Sequence, residues 1–311
     1  MDHEIIGRVL DNVDRVIVGK RPVVELLLAA MMCEGHVLIE DVPGIGKTTL
    51  AKAVARSVGC TFGRLQFTPD LLPSDVTGIS FFNQKTQEFE FRPGPVMSQI
   101  LLADEINRAT PRTQSALLEA MQERQITVDG VTYPLPRPFL VLATQNPIEL
   151  EGTFPLPEAQ VDRFLIKIAL GYPTEEEENE IVLRFDREDP LDDLKPVIQA
   201  KDWLALRDAV RFVRVEESVR EYAVKVVRAT REHPAVMLGA SPRGALALHR
   251  MSQALAAIRG RDFVLPDDVK YLTTCVLSHR IIISSQTRLR GRKLEDILSE
   301  VVESVPVPVQ Q

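Results

Sequence analysis

The chain of 311 residues has little cysteine, no excess of positive charge and no long apolar run. Its three cysteines, Cys33, Cys60 and Cys275, lie far apart without a Cys-x-x-Cys pair, which argues against a disulfide framework or a zinc site. The net charge of -7 argues against a globally basic surface for nucleic acid. No apolar run reaches the roughly 18 residues that span a bilayer, and the acidic, amphipathic N-terminus is unlike a secretory signal. We therefore expect a soluble, cytoplasmic protein without a membrane span.

What the sequence does contain is a glycine-rich loop between a strand and a helix. Residues 36–40 form a short apolar run, and residues 50–59 have apolar positions at helical spacing. Between them, Gly46-Lys47-Thr48 fits the end of the phosphate-loop pattern G-x-x-x-x-G-K-[ST], whereas Asp41 stands where the pattern has its first glycine. Backbone N–H groups of such a loop point at phosphates, Lys47 adds a positive charge and Thr48 offers a hydroxyl to Mg²⁺.

Two further strands are predicted to end in polar residues. Residues 100–103 are apolar and are followed by Asp104 and Glu105. Carboxylates at the carboxyl end of a parallel strand face the ligand crevice, so Asp104 would hold Mg²⁺ through water and Glu105 would polarise the attacking water. The strand within residues 138–147 leads to Asn146, which could contact the γ-phosphate or form an ordinary Asn-Pro turn. The residues alone leave both interpretations of Asn146 open.

Two hairpins are predicted within this half. Residues 110–124 form a helix with Thr110 as N-cap, and the alternating run 125–135 turns at Asp129-Gly130, a strong hairpin signal. Residues 78–96 read as a second strand pair, in which at least one of Phe81 and Phe82 would be exposed. Such hairpins could push a substrate or could only pack against neighbouring subunits.

The second half of the sequence is predicted to be helical. Thr174 and Glu177 have capping-box spacing, and residues 186–196 are acidic and proline-bearing, as in a connection. Beyond them, helices are predicted over 218–233, 244–260 and 266–283, with Ser241 as N-cap and Pro242 at the first helical position. The predicted division is an α/β core with an N-terminal helix at 1–172, a connection at 173–196 and a helical domain at 197–311.

Together these pieces resemble the MoxR family of AAA+ ATPases over roughly residues 10–290. The segments that carry the resemblance are DVPGIGKTT (41–49), ILLADEINRA (100–109), ERQITVDGVTYPL (123–135), LATQNP (142–147), FPLPEAQVDRF (154–164) and GASPRGAL (239–246). The resemblance implies an α/β phosphate-loop core with a parallel sheet, two hairpin insertions and a smaller all-α lid domain. It also implies ATP or ADP with Mg²⁺ as cofactors, and it makes Asp41 a tolerated variant of the loop.

The family's site residues are carried over position by position. The resemblance implies nucleotide contacts from Pro43, Gly44, Ile45, Gly46, Lys47, Thr48 and Thr49, and Mg²⁺ ligation through Thr48 and Asp104. It implies catalytic roles for Glu105, for Asn146 as sensor 1, for Arg163 as the arginine finger and for Arg243 as sensor 2. A finger that reaches the neighbouring subunit implies a homo-oligomer, expected to be a hexameric ring.

The resemblance implies an ATP-driven chaperone or remodelling ATPase, acting on a partner with a von Willebrand factor A domain or on a metalloenzyme complex. Two alternatives stay open. One is a nucleic-acid-stimulated motor, suggested by the basic stretch 279–293 but opposed by the acidic net charge and the lack of an interleaved aromatic. The other is a nucleotide-gated scaffold with little turnover, opposed by the complete set of candidate catalytic residues. A phosphotransferase is weaker still, because no acceptor-site motif is present.

Overall fold

The computed structural model describes residues 3–147 and 152–308. In these residues the strands are β1 (Val37–Glu40), β2 (Phe62–Gln66), β3 (Gly78–Asn83), β4 (Glu88–Pro93), β5 (Ile100–Asp104), β6 (Gln125–Val128), β7 (Val131–Pro134), β8 (Leu140–Gln145), β9 (Ile166–Ile168), β10 (Val236–Leu238) and β11 (Ile282–Ile283). The α-helices are α1 (His3–Asp14), α2 (Arg21–Met32), α3 (Lys47–Ser57), α4 (Pro73–Thr77), α5 (Pro111–Glu123), α6 (Glu158–Val161), α7 (Glu175–Arg184), α8 (Ala200–Val210), α9 (Glu217–Glu232), α10 (Pro242–Ile258), α11 (Pro266–Leu277), α12 (Ser285–Leu289) and α13 (Leu294–Ser304). Among them, none is long and apolar enough to cross a membrane.

Five parallel strands form the central sheet, in the order β2-β5-β8-β1-β9. Both faces of its inner strands are covered, so these strands are apolar throughout rather than alternating. Val37 and Ile39 of β1 face one apolar cluster, and Leu38 between them faces the other. The first cluster continues from the sheet into the C-terminal helices and includes the fully buried Trp203 of α8. The predicted α/β core with a helical C-terminal part is confirmed.

Both predicted hairpins are present. Asp129 and Gly130 both have positive φ values, 49° and 79°, as a two-residue turn between twisted strands requires. In the other hairpin, β3 pairs antiparallel with β4, and both Phe81 and Phe82 are exposed. The hairpins touch where Phe91 stacks on Tyr133, with ring centroids 4.1 Å apart. They therefore form one joined insertion surface.

The helix predicted over residues 266–283 is too long. Helix α11 ends at Leu277, and a 3-10 turn, Ser278–Arg280, follows it. The β-branched residues Ile282 and Ile283 then pair with β10. This run follows its preference for extended structure once a strand is available to pair with it. The capping box of Thr174 with Glu177 and the N-cap of Ser241 are confirmed.

Candidate functional site

The glycine-rich loop connects the carboxyl end of β1 to the first turn of α3. Gly44 and Gly46 have φ values of 86° and 87°, which side chains other than glycine rarely adopt. Helix α3 starts at Lys47, so its unpaired N–H groups open toward the loop. Loop and helix end together make a cradle for an anion.

Lys47 is held over this loop by its own chain. Its ammonium donates to the carbonyl oxygen of Asp41 at 2.8 Å. Burial lowers the pKa of Lys47, and the nearby carboxylates of Asp104, Asp41 and Glu105 oppose that shift. The pre-positioned cation can meet the negative charge of a phosphate chain.

Asp104 lies at the end of β5, beside the phosphate loop. One of its carboxylate oxygens accepts from the Thr144 hydroxyl at 2.7 Å, and the other accepts from the Arg64 guanidinium at 2.8 Å. Thr48 and Asp104 line one cavity, so a hydroxyl and a carboxylate are available to Mg²⁺ there. Mg²⁺ bound with a nucleotide takes few protein ligands and keeps water and phosphate oxygens. These donors fit that ion.

Glu105 follows Asp104 with a left-handed backbone, φ 56°. The turn is fixed by the bond from its N–H to the Thr144 hydroxyl, 2.8 Å long. Its carboxylate accepts from Gln66 at 2.8 Å and from Arg108 at 3.0 Å. Glu105 is thereby aimed into the same cavity as Lys47 rather than along the strand.

The cavity that unites these groups has a volume of about 300 Å³ and lies at the carboxyl edge of the sheet. Asn146, just beyond β8, also lines it, as the resemblance implies. Arg64 and Gln66 on β2 line it too and were missed in the sequence. Residues two apart in a strand point to the same face, so this pair was a readable signal once β2 had been recognised. The lining residues are Pro43, Gly44, Gly46, Lys47, Thr48, Arg64, Gln66, Asp104, Glu105 and Asn146.

A second cavity, of about 450 Å³, adjoins the first and shares part of the phosphate loop with it. Ile45 and Thr49 line this second cavity. Its remaining walls are mostly apolar side chains and backbone from the segment after α1, the segment after β9 and helix α7. These residues are Val16, Ile17, Val18, Lys20, Leu170, Gly171, Tyr172, Pro173, Glu178, Ile181, Val182 and Phe185. A polar half joined to an apolar half suits a ligand with a charged tail and a flat, apolar head.

Arg163 and Arg243 lie elsewhere. Both line a third cavity, of about 320 Å³, at the amino edge of the sheet. Gly35 and His36, which precede β1, also line it. Asp41 lies five positions after His36, across β1, so at about 3.3 Å per residue the two edges are roughly 16 Å apart. Arg243, which the resemblance makes sensor 2, therefore does not line the cavity that contains Lys47 of the same chain.

An ion-pair network centred on Asp162 organises this third cavity. Asp162 pairs with Arg280 at 3.2 Å and with Arg243 at 3.5 Å. The Arg280 side chain is only 4% exposed, and it donates to the carbonyl oxygen of Phe164 at 2.6 Å. Burial lowers the pKa of Arg280, and Asp162 opposes that shift. Arg280 thus ties the segment that carries Arg163 to the helix that carries Arg243.

Comparison with known proteins agrees with this architecture. The model of the ATPase family associated with various cellular activities (AAA) matches residues 36–166, and the AAA lid domain matches residues 228–301. The chain is 52% identical to the protein YeaC of Bacillus subtilis (strain 168), over 99% of this chain and 97% of that protein. It is 44% identical to the chaperone MoxR1 of Mycobacterium tuberculosis, over 97% of this chain and 82% of that protein.

A solved structure is similar over nearly the whole chain. It is the crystal structure of a protein from Cytophaga hutchinsonii described as a candidate ATPase, with a TM-score of 0.93 and 41% identity. The match covers 99% of this chain and 96% of that one. With the phosphate loop, the acid pair and the helical C-terminal part in place, the chain belongs to the MoxR family of AAA+ ATPases and hydrolyses ATP.

Proposed function

We propose that this chain is an Mg²⁺-dependent ATPase that works as a ring, with each nucleotide site shared between two subunits. The supporting observation is the separation of Lys47, at the carboxyl edge of the sheet, from Arg163 and Arg243, at the amino edge. An arginine that acts on phosphate must reach it, and neither can do so across roughly 16 Å within one chain. A head-to-tail contact places the amino edge of one subunit over the carboxyl edge of the next, and such contacts close into rings.

In this proposal Lys47 and the loop 43–49 hold the phosphates, and Thr48 and Asp104 hold Mg²⁺. Glu105 takes the proton of the attacking water, and Asn146 orients that water. From the neighbouring subunit, Arg163 and Arg243 neutralise the charge that develops on the phosphoryl group. Planar, permanently charged guanidinium groups suit this role. A hexamer is the expected ring size.

Mixing two inactive variants tests the shared site. Lys47→Ala removes phosphate binding but keeps the arginines, and Arg163→Ala does the opposite. In mixed rings, about one quarter of the interfaces pair an intact loop with an intact arginine, so mixing should restore activity that neither variant has alone. A mixture as inactive as its components would overturn the shared site while leaving the ATPase assignment untouched.

We further propose that ATP turnover remodels a protein partner, one with a von Willebrand factor A domain or a metalloenzyme complex. The similarity to a protein named as a chaperone supports this role. So does the joined hairpin surface, where Phe82 and Phe89 pack edge to face and both stay exposed. We also infer a cytoplasmic location. We further propose the division into 1–172, 173–196 and 197–311, because one family model matches within the first part and the other within the third.

The nucleic-acid alternative loses support, because two of the five Arg and Lys residues in the basic stretch 279–293 are engaged by acids of the same chain. Arg280 is buried against Asp162, and Arg292 pairs with Glu300. The partner can be identified with Glu105→Gln, which should hold ATP without hydrolysing it. A protein recovered from lysate with this variant only when ATP is present would support remodelling. Recovery of nucleic acid instead, lost after nuclease treatment, would favour the motor.

A further inference from the structure

Asp41 occupies the position where the phosphate-loop pattern has its first glycine, the residue is 9% exposed, and both of its carboxylate oxygens accept hydrogen bonds. One oxygen accepts from the backbone N–H of Val42 at 2.9 Å. The other accepts from the N–H groups of Leu170 and Gly171, at 2.7 and 2.8 Å. Hydrogen bonds from backbone N–H groups to a carboxylate are among the stronger ones in proteins. A residue that is merely tolerated would not need all three.

The backbone of Asp41 lies at the junction of two further contacts. Its N–H donates to the carbonyl oxygen of Gln145, at the end of β8, and its carbonyl oxygen accepts from Lys47. Asp41 therefore contacts the strand that leads to Asn146, the cation of the phosphate loop and the segment that follows β9. Among the described residues, Asp41 is not part of the lining of either cavity at the phosphate loop, and its carboxylate is turned toward Leu170 and Gly171 instead.

The segment that Asp41 holds is one wall of the apolar cavity. Leu170, Gly171, Tyr172 and Pro173 line that cavity, and helix α7 begins directly after them. Gly171 has a φ of 67°, a left-handed conformation that sets the direction of the chain between the N–H groups held by Asp41 and the rest of this wall. The opposite wall is the phosphate loop, which begins at Asp41 itself. One side chain thus sets the spacing between the wall that faces the phosphates and the wall that faces the head of the ligand.

We propose that Asp41 is a positioning residue that fixes the apolar wall, residues 170–173, to the phosphate loop and thereby sets affinity for the nucleoside half of ATP. This inference rests on the proposed nucleotide site. It differs from simple support of the phosphate loop, because the effect should fall on the nucleoside half rather than on the phosphates. Binding of ATP and of inorganic tripolyphosphate separates the two halves, since tripolyphosphate has no nucleoside.

The experiment measures dissociation constants of both ligands by calorimetry, with Mg²⁺ and the full chain. Asp41→Ala removes all three side-chain bonds, and we expect ATP to bind about tenfold more weakly, the loss that roughly 1.4 kcal/mol represents. Tripolyphosphate should change by no more than about twofold on the same scale. Asp41→Asn keeps one acceptor oxygen and should recover part of the ATP affinity.

A second variant keeps the proposal open to test if Asp41→Ala does not fold. Gly171→Ala has free space for its methyl group but strains a left-handed backbone. It should weaken ATP binding selectively, in the same sense as Asp41→Ala. Gly260→Ala is the matched control, because Gly260 has a φ of 77° and open space but lies outside the cavity. Its binding of both ligands should equal that of the wild type.

Three results would overturn the inference. Unchanged ATP affinity in Asp41→Ala would make the residue a tolerated variant after all. Equal losses for ATP and tripolyphosphate would place its effect on the phosphate loop alone. Equal effects of Gly171→Ala and Gly260→Ala would reduce the Gly171 result to general strain. A wild-type protein that binds neither ligand would instead contradict the proposed nucleotide site, so the two failures are distinguishable.

Discussion

The two edges of the central sheet are built in opposite ways. At the carboxyl edge, a lysine, an arginine, two carboxylates and two amides surround a polar cavity that includes the open first turn of a helix. At the amino edge, the cavity contains five arginines, Arg124, Arg163, Arg243, Arg250 and Arg280, against only two acids, Glu34 and Asp162. The first edge can bind and activate a phosphate chain, and the second can only supply positive charge to one. In the proposed ring, each edge would supply half of a shared site, because the two residue sets line different cavities of one chain.

The largest effect is expected from removing positive charge at the amino edge. We expect Arg163→Ala to lower ATP turnover about 10³-fold or more, the range of arginine fingers. Binding of ATP to dilute protein should be unchanged, because the phosphate loop is distant. Turnover and binding are measured separately, with Arg112→Ala, an exposed residue of α5, as control. A matching loss of binding at low protein concentration would place Arg163 in its own chain's site.

At the carboxyl edge, Glu105→Gln should lower turnover about 10²- to 10⁴-fold, as expected when a general base is lost. The amide keeps an acceptor for Gln66 and Arg108 but cannot take a proton from water. Binding of ATP should stay within about twofold, because the substitution is isosteric. Glu119→Gln, at an exposed position of α5, is the matched control. Turnover close to that of the wild type would show that another group activates the water.

The carboxyl edge could be predicted from the sequence far better than the amino edge. Its residues follow strands in short, regular motifs, so Lys47, Asp104 and Glu105 could be predicted from local pattern, whereas Asn146 was assigned through the family resemblance. The position of Arg243 could not be predicted in this way, because it depends on how α10 packs against α2 and α11. Long-range packing of this kind leaves no local pattern.

Two strands of the central sheet, β2 and β9, were missed for a related physical reason. β9 has only three residues, and β2 is partly exposed along its whole length. Neither provides the run of alternating or apolar residues on which recognition of a strand depends. Helix α8 was missed as well, although it buries Trp203. Arg64 and Gln66 could not be assigned to the site until β2 was known.

A smaller effect should follow from a variant that loosens the amino edge but keeps Arg163. Arg280→Ala takes a nearly buried cation from Asp162 and from the carbonyl oxygen of Phe164. We expect the free energy of unfolding to fall by about 2–3 kcal/mol, less than for a fully buried pair because Arg243 still contacts Asp162. Turnover should fall about tenfold, through misplacement of Arg163.

The control variant for Arg280→Ala is Arg292→Ala, which breaks an exposed ion pair with Glu300. Exposed ion pairs contribute little to stability, so chemical denaturation should separate the two variants clearly. ATP binding at the carboxyl edge should match the wild type in both. If Arg280→Ala proved as stable and as active as Arg292→Ala, the tie between Arg163 and the C-terminal helices would have no functional role.

The smallest effect that we expect is a loss of stability at low pH, and it should be confined to the amino edge. His36 precedes β1, and its two ring nitrogens contact the Met121 carbonyl and the Val141 N–H. The second contact requires an unprotonated nitrogen. Burial lowers the pKa of His36 from 6.5 to about 4 and that of His279, beside Arg280, from 6.5 to about 3. In the unfolded chain both would titrate near 6.5.

Between these values the unfolded state binds more protons than the folded state, so stability must fall as pH drops. The contribution of both histidines is complete above pH about 6.5 and is lost progressively through pH about 4 and then about 3. Hydrogen exchange at pH 7 and pH 5, corrected for the intrinsic rate, should show lost protection at Val141 and Leu165 before Leu50 of α3. Equal loss at all three amides would mean that acid acts on the whole fold, and that the two edges differ in charge but not in their response to protons.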